Sequence, residues 1–225
     1  VLNYIYYFHS PVSTFKQYSS GAFDNYDIIL CNGKYQEDEI RKDEILNNKK
    51  NKKFFNTGYF YFDYLKDRVN LNNNTNEILI APSWNINDEN FINKNFELII
   101  AKILSNGFSV RFRPHPENLK RSSEIINSFK EKFKDKKFIL DISSDNKEAL
   151  ENAACLITDN SGIAIEYLLI FKKPVLYFND KEKIHNSNYK KFMIKSLEDE
   201  IKEKFGIEFN INDLHKINHL IDHSV

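Results

Sequence analysis

A strand, a turn, a helix and a second strand follow one another along residues 154–178, and this succession constrains the fold more than any other part of the sequence. Residues 154–158 are apolar, residues 159–162 are turn formers, and residues 163–171 have helical length. A Lys-Pro pair then ends the helix before the β-rich run Val175–Phe178. Two strands joined by a helix belong to a parallel sheet, so we predict an α/β fold.

The turn made by Asp159, Asn160, Ser161 and Gly162 lies at the carboxyl end of the first of these strands, where parallel sheets bind their ligands. The helix after the turn points unpaired N–H groups at the same place, so an anion such as a nucleotide phosphate is a natural ligand. The same four residue types are also ordinary helix caps. On this stretch alone, a phosphate site and a plain cap both stay open.

Composition excludes several classes of protein. The 225 residues carry 32 Lys and Arg against 32 Asp and Glu, so no basic field indicates a nucleic-acid partner. No apolar run approaches the roughly 20 residues that span a bilayer. The two cysteines, Cys31 and Cys155, lie in apolar runs, which favours buried thiols in a reducing cytoplasm over a disulfide framework.

The first part of the chain already alternates strands and helices. Residues 1–8 and 26–31 are apolar, and Lys53–Asn56 is a third predicted strand, with a charged surface helix predicted over Lys34–Leu46. His9 follows the first strand directly, at a position where open α/β sheets carry catalytic groups. A histidine satisfied within a strand-end turn is the other interpretation.

An asparagine-rich stretch divides the chain. We predict a linker over residues 71–76, with one α/β domain in residues 1–70 and a second in residues 77–225. Within the second, the sequence pattern predicts strands at 77–81, 108–112 and 137–140. It also predicts a helix at 88–104 and two final helices at 189–205 and 211–221.

Polar residues follow three strands of the second part and should meet at one edge of its sheet: Ser83 with Trp84, Arg113 with His115, and the turn that begins at Asp159. Arginine offers a fork of donors to phosphate oxygens, and serine hydroxyls add neutral donors. Glu166 is placed to accept hydrogen bonds from ribose hydroxyls, although a solvated or salt-bridged glutamate is the alternative. Trp84 either stacks on a base or belongs to the core.

Five motifs, taken in order, resemble the CDP-glycerol glycerophosphotransferase family, the teichoic-acid primases and polymerases. They are APSW (81–84), RPHP (113–116), DISS (141–144), TDNSG (158–162) and KPVLYF (173–178). The family pattern runs APTW, RPHP, D-x-SS, TDYSS and KP-x-x-FY. His9 falls where the family has a strand-end His-Gly, so the resemblance covers most of the chain.

The resemblance implies a GT-B architecture of two Rossmann-like, doubly wound domains, of which the N-terminal one is short and expected to be incomplete. It also implies a metal-independent transferase without a cofactor, a CDP-linked donor and a polysaccharide or lipid-linked glycan acceptor. The expected location is the cytoplasm, with peripheral association at the inner face of the membrane. The expected roles are His9 as general base, Arg113, His115, Ser161 and Gly162 as donor-phosphate ligands, and Ser83, Asp159 and Glu166 as nucleotide or ribose ligands.

The sequence departs from the family pattern in three places. Ser10 replaces the glycine after the histidine, Gly162 replaces the second serine of TDYSS, and the family's GYPR is Gly-Tyr-Phe-Tyr at residues 58–61. TDNSG with Glu166 downstream also resembles the DSGG…E signature of UDP-N-acetylglucosamine 2-epimerases. Three functions therefore stay open: a polyol-phosphate or sugar transferase, a nucleotide-sugar epimerase, and a non-catalytic nucleotide-binding module of capsule assembly.

Overall fold

Two parallel β-sheets form the protein. The computed structural model describes residues 2–70, 75–86, 88, 91–180 and 183–224. Within these ranges the first sheet has three strands, the second has six, and all neighbouring strands of both sheets run parallel. The predicted α/β fold with two parallel sheets is confirmed. We call residues 2–70 the first unit and the described residues from 75 onwards the second unit.

The first sheet has the order β1-β2-β3. Its strands are β1 (Ile5–Tyr7), β2 (Ile28–Cys31) and β3 (Lys53–Asn56), and the helices of this unit are α1 (Thr14–Gln17), α2 (Lys34–Leu46) and α3 (Phe60–Lys66). One face of the sheet is buried, with a core made of Phe8, Phe23, Ile29, Cys31 and Ile40. On the opposite face the side chains of Ile5, Tyr7 and Phe55 are exposed.

The second sheet has the order β6-β5-β4-β7-β8-β9. Its strands are β4 (Glu77–Ile80), β5 (Ser109–Phe112), β6 (Phe138–Leu140), β7 (Ala153–Thr158), β8 (Val175–Phe178) and β9 (Gly206–Phe209). Numbered within the sheet, this is the 3-2-1-4-5-6 order of a Rossmann fold. The direction of winding reverses between β4 and β7, and the crevice beyond their carboxyl ends is where such a sheet binds ligands.

Helices cover both faces of the second sheet, as a doubly wound fold requires. They are α4 (Lys94–Ser105), α5 (Pro116–Arg121), α6 (Ser123–Phe133), α7 (Lys147–Asn152), α8 (Gly162–Glu166), α9 (Leu197–Phe205) and α10 (Ile217–Ser224). Because successive side chains of a strand point to opposite faces, β4 divides its residues between two cores. Ile78 and Ile80 pack with α4 and α6, whereas Leu79 packs with α7 and α8.

Two predicted helices differ from the observed ones. The helix predicted at 88–104 begins only at Lys94, because the Asn93 side chain accepts a hydrogen bond from the Asn95 N–H and caps the helix there. The predicted helix 189–205 is a 3₁₀ turn, Tyr189–Phe192, followed by α9. Met193 lies between them in a left-handed conformation (φ 49°), and the Ser196 side chain caps α9.

The last strand and the ends of two helices also differ from the prediction. Strand β9, which pairs with β8, was not predicted. The predicted helix 211–221 is a 3₁₀ segment, Ile211–Lys216, that continues into α10, and the helix after α8 ends in a π-helical turn, Tyr167–Phe171. Both cysteines are buried, as expected, and neither forms a disulfide bond.

The predicted linker falls between α3 and β4, but its residues 71–74 lie outside the described part of the chain. The division into domains 1–70 and 77–225 therefore stays a prediction. None of the helices that the structure describes combines the length and the apolar character needed to cross a membrane.

Candidate functional site

A cavity of about 580 Å³ opens between the two units, at the carboxyl ends of β4 and β5. The first unit contributes the end of β1 and helix α1 to its wall, and the second unit contributes the segments that follow its strands. Of the eight predicted site residues, seven line this cavity: His9, Ser83, Arg113, His115, Ser161, Gly162 and Glu166. The structure therefore brings together side chains that are up to 157 positions apart in the sequence.

Asp159 is the predicted site residue that does not line the cavity. Its carboxylate accepts hydrogen bonds from the Ser83 N–H (2.8 Å) and from the Ser83 hydroxyl. Because Ser83 follows β4 and Asp159 follows β7, these bonds join the two strands across the point where the sheet reverses direction. The carboxylate thus fixes the loop that presents Ser83, and its predicted contact with a nucleotide stays untested.

Arg113 extends from the end of β5 and is held by the DISS segment. Its Nη1 donates to the Ser143 hydroxyl (2.9 Å) and lies 3.0 Å from an Asp141 oxygen, while Nη2 donates to the Ser143 carbonyl (2.9 Å). Burial raises the pKa of Asp141, but hydrogen bonds from Ser143 and the Arg113 charge outweigh it and hold that pKa below its ordinary value. Arg113 is therefore positioned and charge-balanced within the protein.

His115 is a neutral hydrogen-bond donor. Burial, followed by the positive charge of Lys183, lowers the pKa of His115 to about 4, so the imidazole carries no charge near neutral pH. The Glu117 N–H donates to its Nδ1 at 3.1 Å, which places the ring proton on Nε2. Trp84 stacks on this ring with centroids 5.7 Å apart and lies in the cavity wall, half-buried, rather than in the core.

Ser161 and Gly162 open helix α8 against the first unit. The Ser161 hydroxyl makes no capping bond to its own helix and faces the cavity. A Cβ on Gly162 would lie 2.3 Å from the Ser10 hydroxyl oxygen and 3.0 Å from a methyl carbon of Val12. The two departures from the family pattern, serine at position 10 and glycine at position 162, therefore face each other. The space between the two backbones holds one hydroxymethyl group, and this chain carries it on Ser10.

Two buried glutamates hold helix α1 between the units. Glu39 of α2 accepts hydrogen bonds from the N–H and hydroxyl of Thr14, and Glu198 of α9 accepts the corresponding pair from Ser13. Burial raises the pKa of Glu39 to about 8 and raises that of Glu198 as well. Lys16 adds an ion pair to Asp199 at 2.9 Å. These contacts join the first unit to α9 of the second.

Glu166 is neither solvated nor salt-bridged. One of its oxygens lies 2.9 Å from the Tyr59 hydroxyl, the other accepts a hydrogen bond from the Asn146 amide (3.4 Å), and burial raises the pKa of Glu166 to about 7. The Tyr59 hydroxyl also lies 3.0 Å from the His9 carbonyl oxygen. Because a hydroxyl has one proton, a protonated Glu166 donates to Tyr59, and Tyr59 then donates to His9. Glu166 thus helps to fix the backbone of His9.

Among the cavity residues that the sequence did not reveal are Gln17 at the end of α1, and Lys183 and His185 after β8. The two residues after β8 follow the carboxyl end of a strand, so the rule that identified Ser83 and Arg113 also applies to them. Gln17 has no such signal, since it comes from a four-residue helix whose position depends on tertiary contacts. Among the described residues no group of three His, Cys, Asp or Glu could hold a metal ion, and a metal-independent reaction stays a prediction.

A Rossmann-type sheet with this cavity at its reversal point defines an α/β protein whose cavity lies where such sheets bind ligands. The model of one protein family, CDP-Glycerol:Poly(glycerophosphate) glycerophosphotransferase, matches residues 41–202. The chain belongs to this family, which confirms the resemblance. The matched range includes every predicted site residue except His9.

The other comparisons are more distant. No curated protein matches the chain. A crystal structure of TarM is 16% identical with a TM-score of 0.43, and 91% of this chain covers 38% of TarM. The E. coli heptosyltransferase WaaC with ADP is 9% identical with a TM-score of 0.45, and 89% of this chain covers 60% of it. This chain therefore spans only part of either structure, and likeness at this level supports no inference about ligand or reaction.

The contact between Ser10 and Gly162 predicts a coupled effect on stability. Gly162→Ser alone should lower the free energy of unfolding by about 1–3 kcal/mol, because the new side chain meets Ser10 and Val12. In a Ser10→Gly background the same change should cost clearly less. Urea unfolding of the wild type, the two single variants and the double variant measures this coupling. Additive effects would show that the two positions do not compete for one space.

The buried carboxyl of Glu166 predicts that the stability of the protein depends on pH. A glutamate in the unfolded chain loses its proton near its ordinary value of 4.5, whereas folded Glu166 keeps it to about pH 7. Between these values the folded state binds more protons, so stability falls as pH rises and stays lower above pH 7. Glu166→Gln has no proton to lose. Its free energy of unfolding, relative to that of the wild type, should therefore rise by about 3 kcal/mol between pH 4.5 and 8.

Urea unfolding across this pH range checks the expectation. Glu124→Gln, at an exposed position on α6, is the matched control and should leave the difference from wild type constant. A constant difference for Glu166→Gln as well would contradict a protonated carboxyl at this site.

Proposed function

We propose that this protein is part of a transferase that moves glycerol phosphate from a CDP-activated donor to a teichoic-acid-like acceptor. Another polyol phosphate, or a sugar, is the variant of this reaction that the departures from the family pattern leave open. Family membership over residues 41–202 supports the reaction class. The observation that carries the proposal is that one cavity is lined by His9 from the first unit and by the RPHP and TDNSG residues from the second.

The donor side supplies groups suited to a diphosphate. The Nε2–H of His115 and the hydroxyl of Ser161 are neutral donors in the cavity wall. Arg113 uses three of its five N–H donors on Asp141 and Ser143, which leaves its Nε–H and one Nη2–H for a phosphate oxygen. We assign the donor phosphates to these three residues and to the backbone at Gly162, and the nucleotide or ribose to Ser83 and Glu166, with Asp159 holding Ser83 in place.

His9 is the proposed general base. His9 is exposed and lines the cavity from the first unit, whereas the proposed donor ligands come from the second unit. In the proposed step the hydroxyl oxygen attacks the phosphorus that carries glycerol, the bond from that phosphorus to the bridging oxygen breaks, and CMP leaves with the bonding electrons. The hydroxyl proton passes to His9. Donors aimed at the phosphates stabilise the charge that develops on CMP, and no metal or cofactor is part of the proposal.

The acceptor and the place of the reaction are also proposed. We infer a polysaccharide or lipid-linked glycan acceptor with a free hydroxyl, because His9 is exposed and lines the cavity. Such acceptors are built on membranes, so we propose that the protein works in the cytoplasm and associates peripherally with the inner face of the cell membrane.

Replacing His9 separates catalysis from binding. His9→Ala should lower the rate of CMP release from CDP-glycerol, with a glycerol phosphate oligomer as acceptor, by about 10²–10⁴-fold, while the Kd for CDP changes little. His215→Ala removes an exposed histidine outside the cavity and is the matched control. Undiminished transfer by His9→Ala would remove His9 from the reaction. Sugar turnover by the wild type without any acceptor would favour an epimerase, and CDP binding without transfer would favour a non-catalytic module.

A further inference from the structure

Lys183 is a cation without a matching anion in the cavity wall. Among the described residues its ammonium forms no ion pair, although its charge is close enough to His115 to lower the pKa of that imidazole. The carboxylates that act on it from a distance are both engaged, Asp159 with Ser83 and Glu198 with Ser13. Arg113, by contrast, is balanced by Asp141. Lys183 is therefore the cavity cation that the described residues leave uncompensated.

Two neighbouring side chains also carry buried atoms without a hydrogen bond within the described part of the chain. Both amide atoms of Gln17 and the Nε2 of His185 are buried without a hydrogen bond, and the Gln17 side chain, only 5% exposed, lies in the same cavity wall. A buried polar group without a partner costs about 1–3 kcal/mol. Two side chains with such atoms, on the same wall as the Lys183 ammonium, indicate a ligand that pairs with them when it binds.

This wall is built before any ligand arrives. The N–H of His185 donates to the Lys16 carbonyl at 3.0 Å, and the Asn186 side chain donates to the Phe15 carbonyl at 2.9 Å. These bonds attach the segment after β8 to helix α1, so that Lys183 and His185 face the same space as Gln17. The wall therefore lies on the α1 side of the cavity.

We propose that Lys183, with Gln17 and His185, forms a second anion subsite that takes a phosphate group of the substrate. The ammonium of Lys183 and the amide N–H groups of Gln17 donate to the oxygens of one phosphate, with the His185 ring beside them. Burial lowers the pKa of Lys183, and a bound anion would restore it. That the phosphate belongs to a substrate rests on the proposed function. It is either the donor phosphate that carries glycerol or a phosphate of the acceptor.

Tryptophan fluorescence tests this subsite, because Trp84 is the single tryptophan of the chain and lies against His185, with ring centroids 5.0 Å apart. The probes are inorganic pyrophosphate, CDP and glycerol 3-phosphate. Lys183→Gln should raise the Kd of at least one of these probes by about tenfold or more. Lys183→Arg keeps the charge, so its Kd values should stay within a few-fold of those of the wild type. Lys130 is an exposed lysine of α6. Lys130→Gln removes the same charge outside the cavity and should leave the affinities for all three probes unchanged.

The pattern of losses identifies the source of the phosphate. Weaker CDP binding with unchanged glycerol 3-phosphate binding assigns the subsite to the donor, and the reverse assigns it to the acceptor. A wild type that binds pyrophosphate but not CDP supports the subsite while contradicting the proposed function.

Urea unfolding separates binding from a structural role. Relief of an unmatched buried charge should leave Lys183→Gln at least as stable as the wild type. Lower stability with unchanged affinities would instead show that Lys183 only balances Asp159 and Glu198, and would overturn the proposal. Failure of the wild type to bind any of the three probes would overturn it as well.

Discussion

The clamp on helix α1 is the contact on which the rest of the site depends. Glu39 comes from the first unit and Glu198 from the second, and together they accept hydrogen bonds from the N–H groups and hydroxyls of Ser13 and Thr14. Burial raises the pKa of both carboxyls, whereas the hydrogen bonds from Ser13 and Thr14 act in the opposite direction and favour the ionised form. Because His9 precedes α1 and Gln17 ends it, this contact sets one whole wall of the cavity.

Most of the fold could be predicted because local pattern and tertiary structure agree. Helix Lys34–Leu46 and strands Lys53–Asn56 and Val175–Phe178 were predicted with their observed bounds. The misses arise where long-range contacts decide. Strand β9 is four residues long and exists through its pairing with β8, and the break near Met193 depends on one left-handed residue that no periodicity reveals. The rule that parallel strands present their carboxyl ends at one edge placed seven of the eight site residues in one cavity.

The sequence could not predict which of these residues face the cavity and which hold other residues in position. Asp159 and Ser83 were both expected to contact the nucleotide, but their hydrogen bonds to each other are visible only in three dimensions. The Ser10 side chain fills the space that a side chain at position 162 would need, and this too is visible only from the distance between the two residues. As a result the cavity combines neutral donors, a balanced arginine and an unmatched lysine, a composition suited to phosphates that carry partial charge over several oxygens.

Calorimetric titration of the protein with CDP, UDP and GDP, without added metal, tests the central claim most directly. That claim is that the cavity at the reversal point of the second sheet is the site of a CDP-linked donor. We predict that one equivalent of CDP binds, and binds more tightly than UDP or GDP. Absence of CDP binding, or a preference for UDP, would contradict the claim.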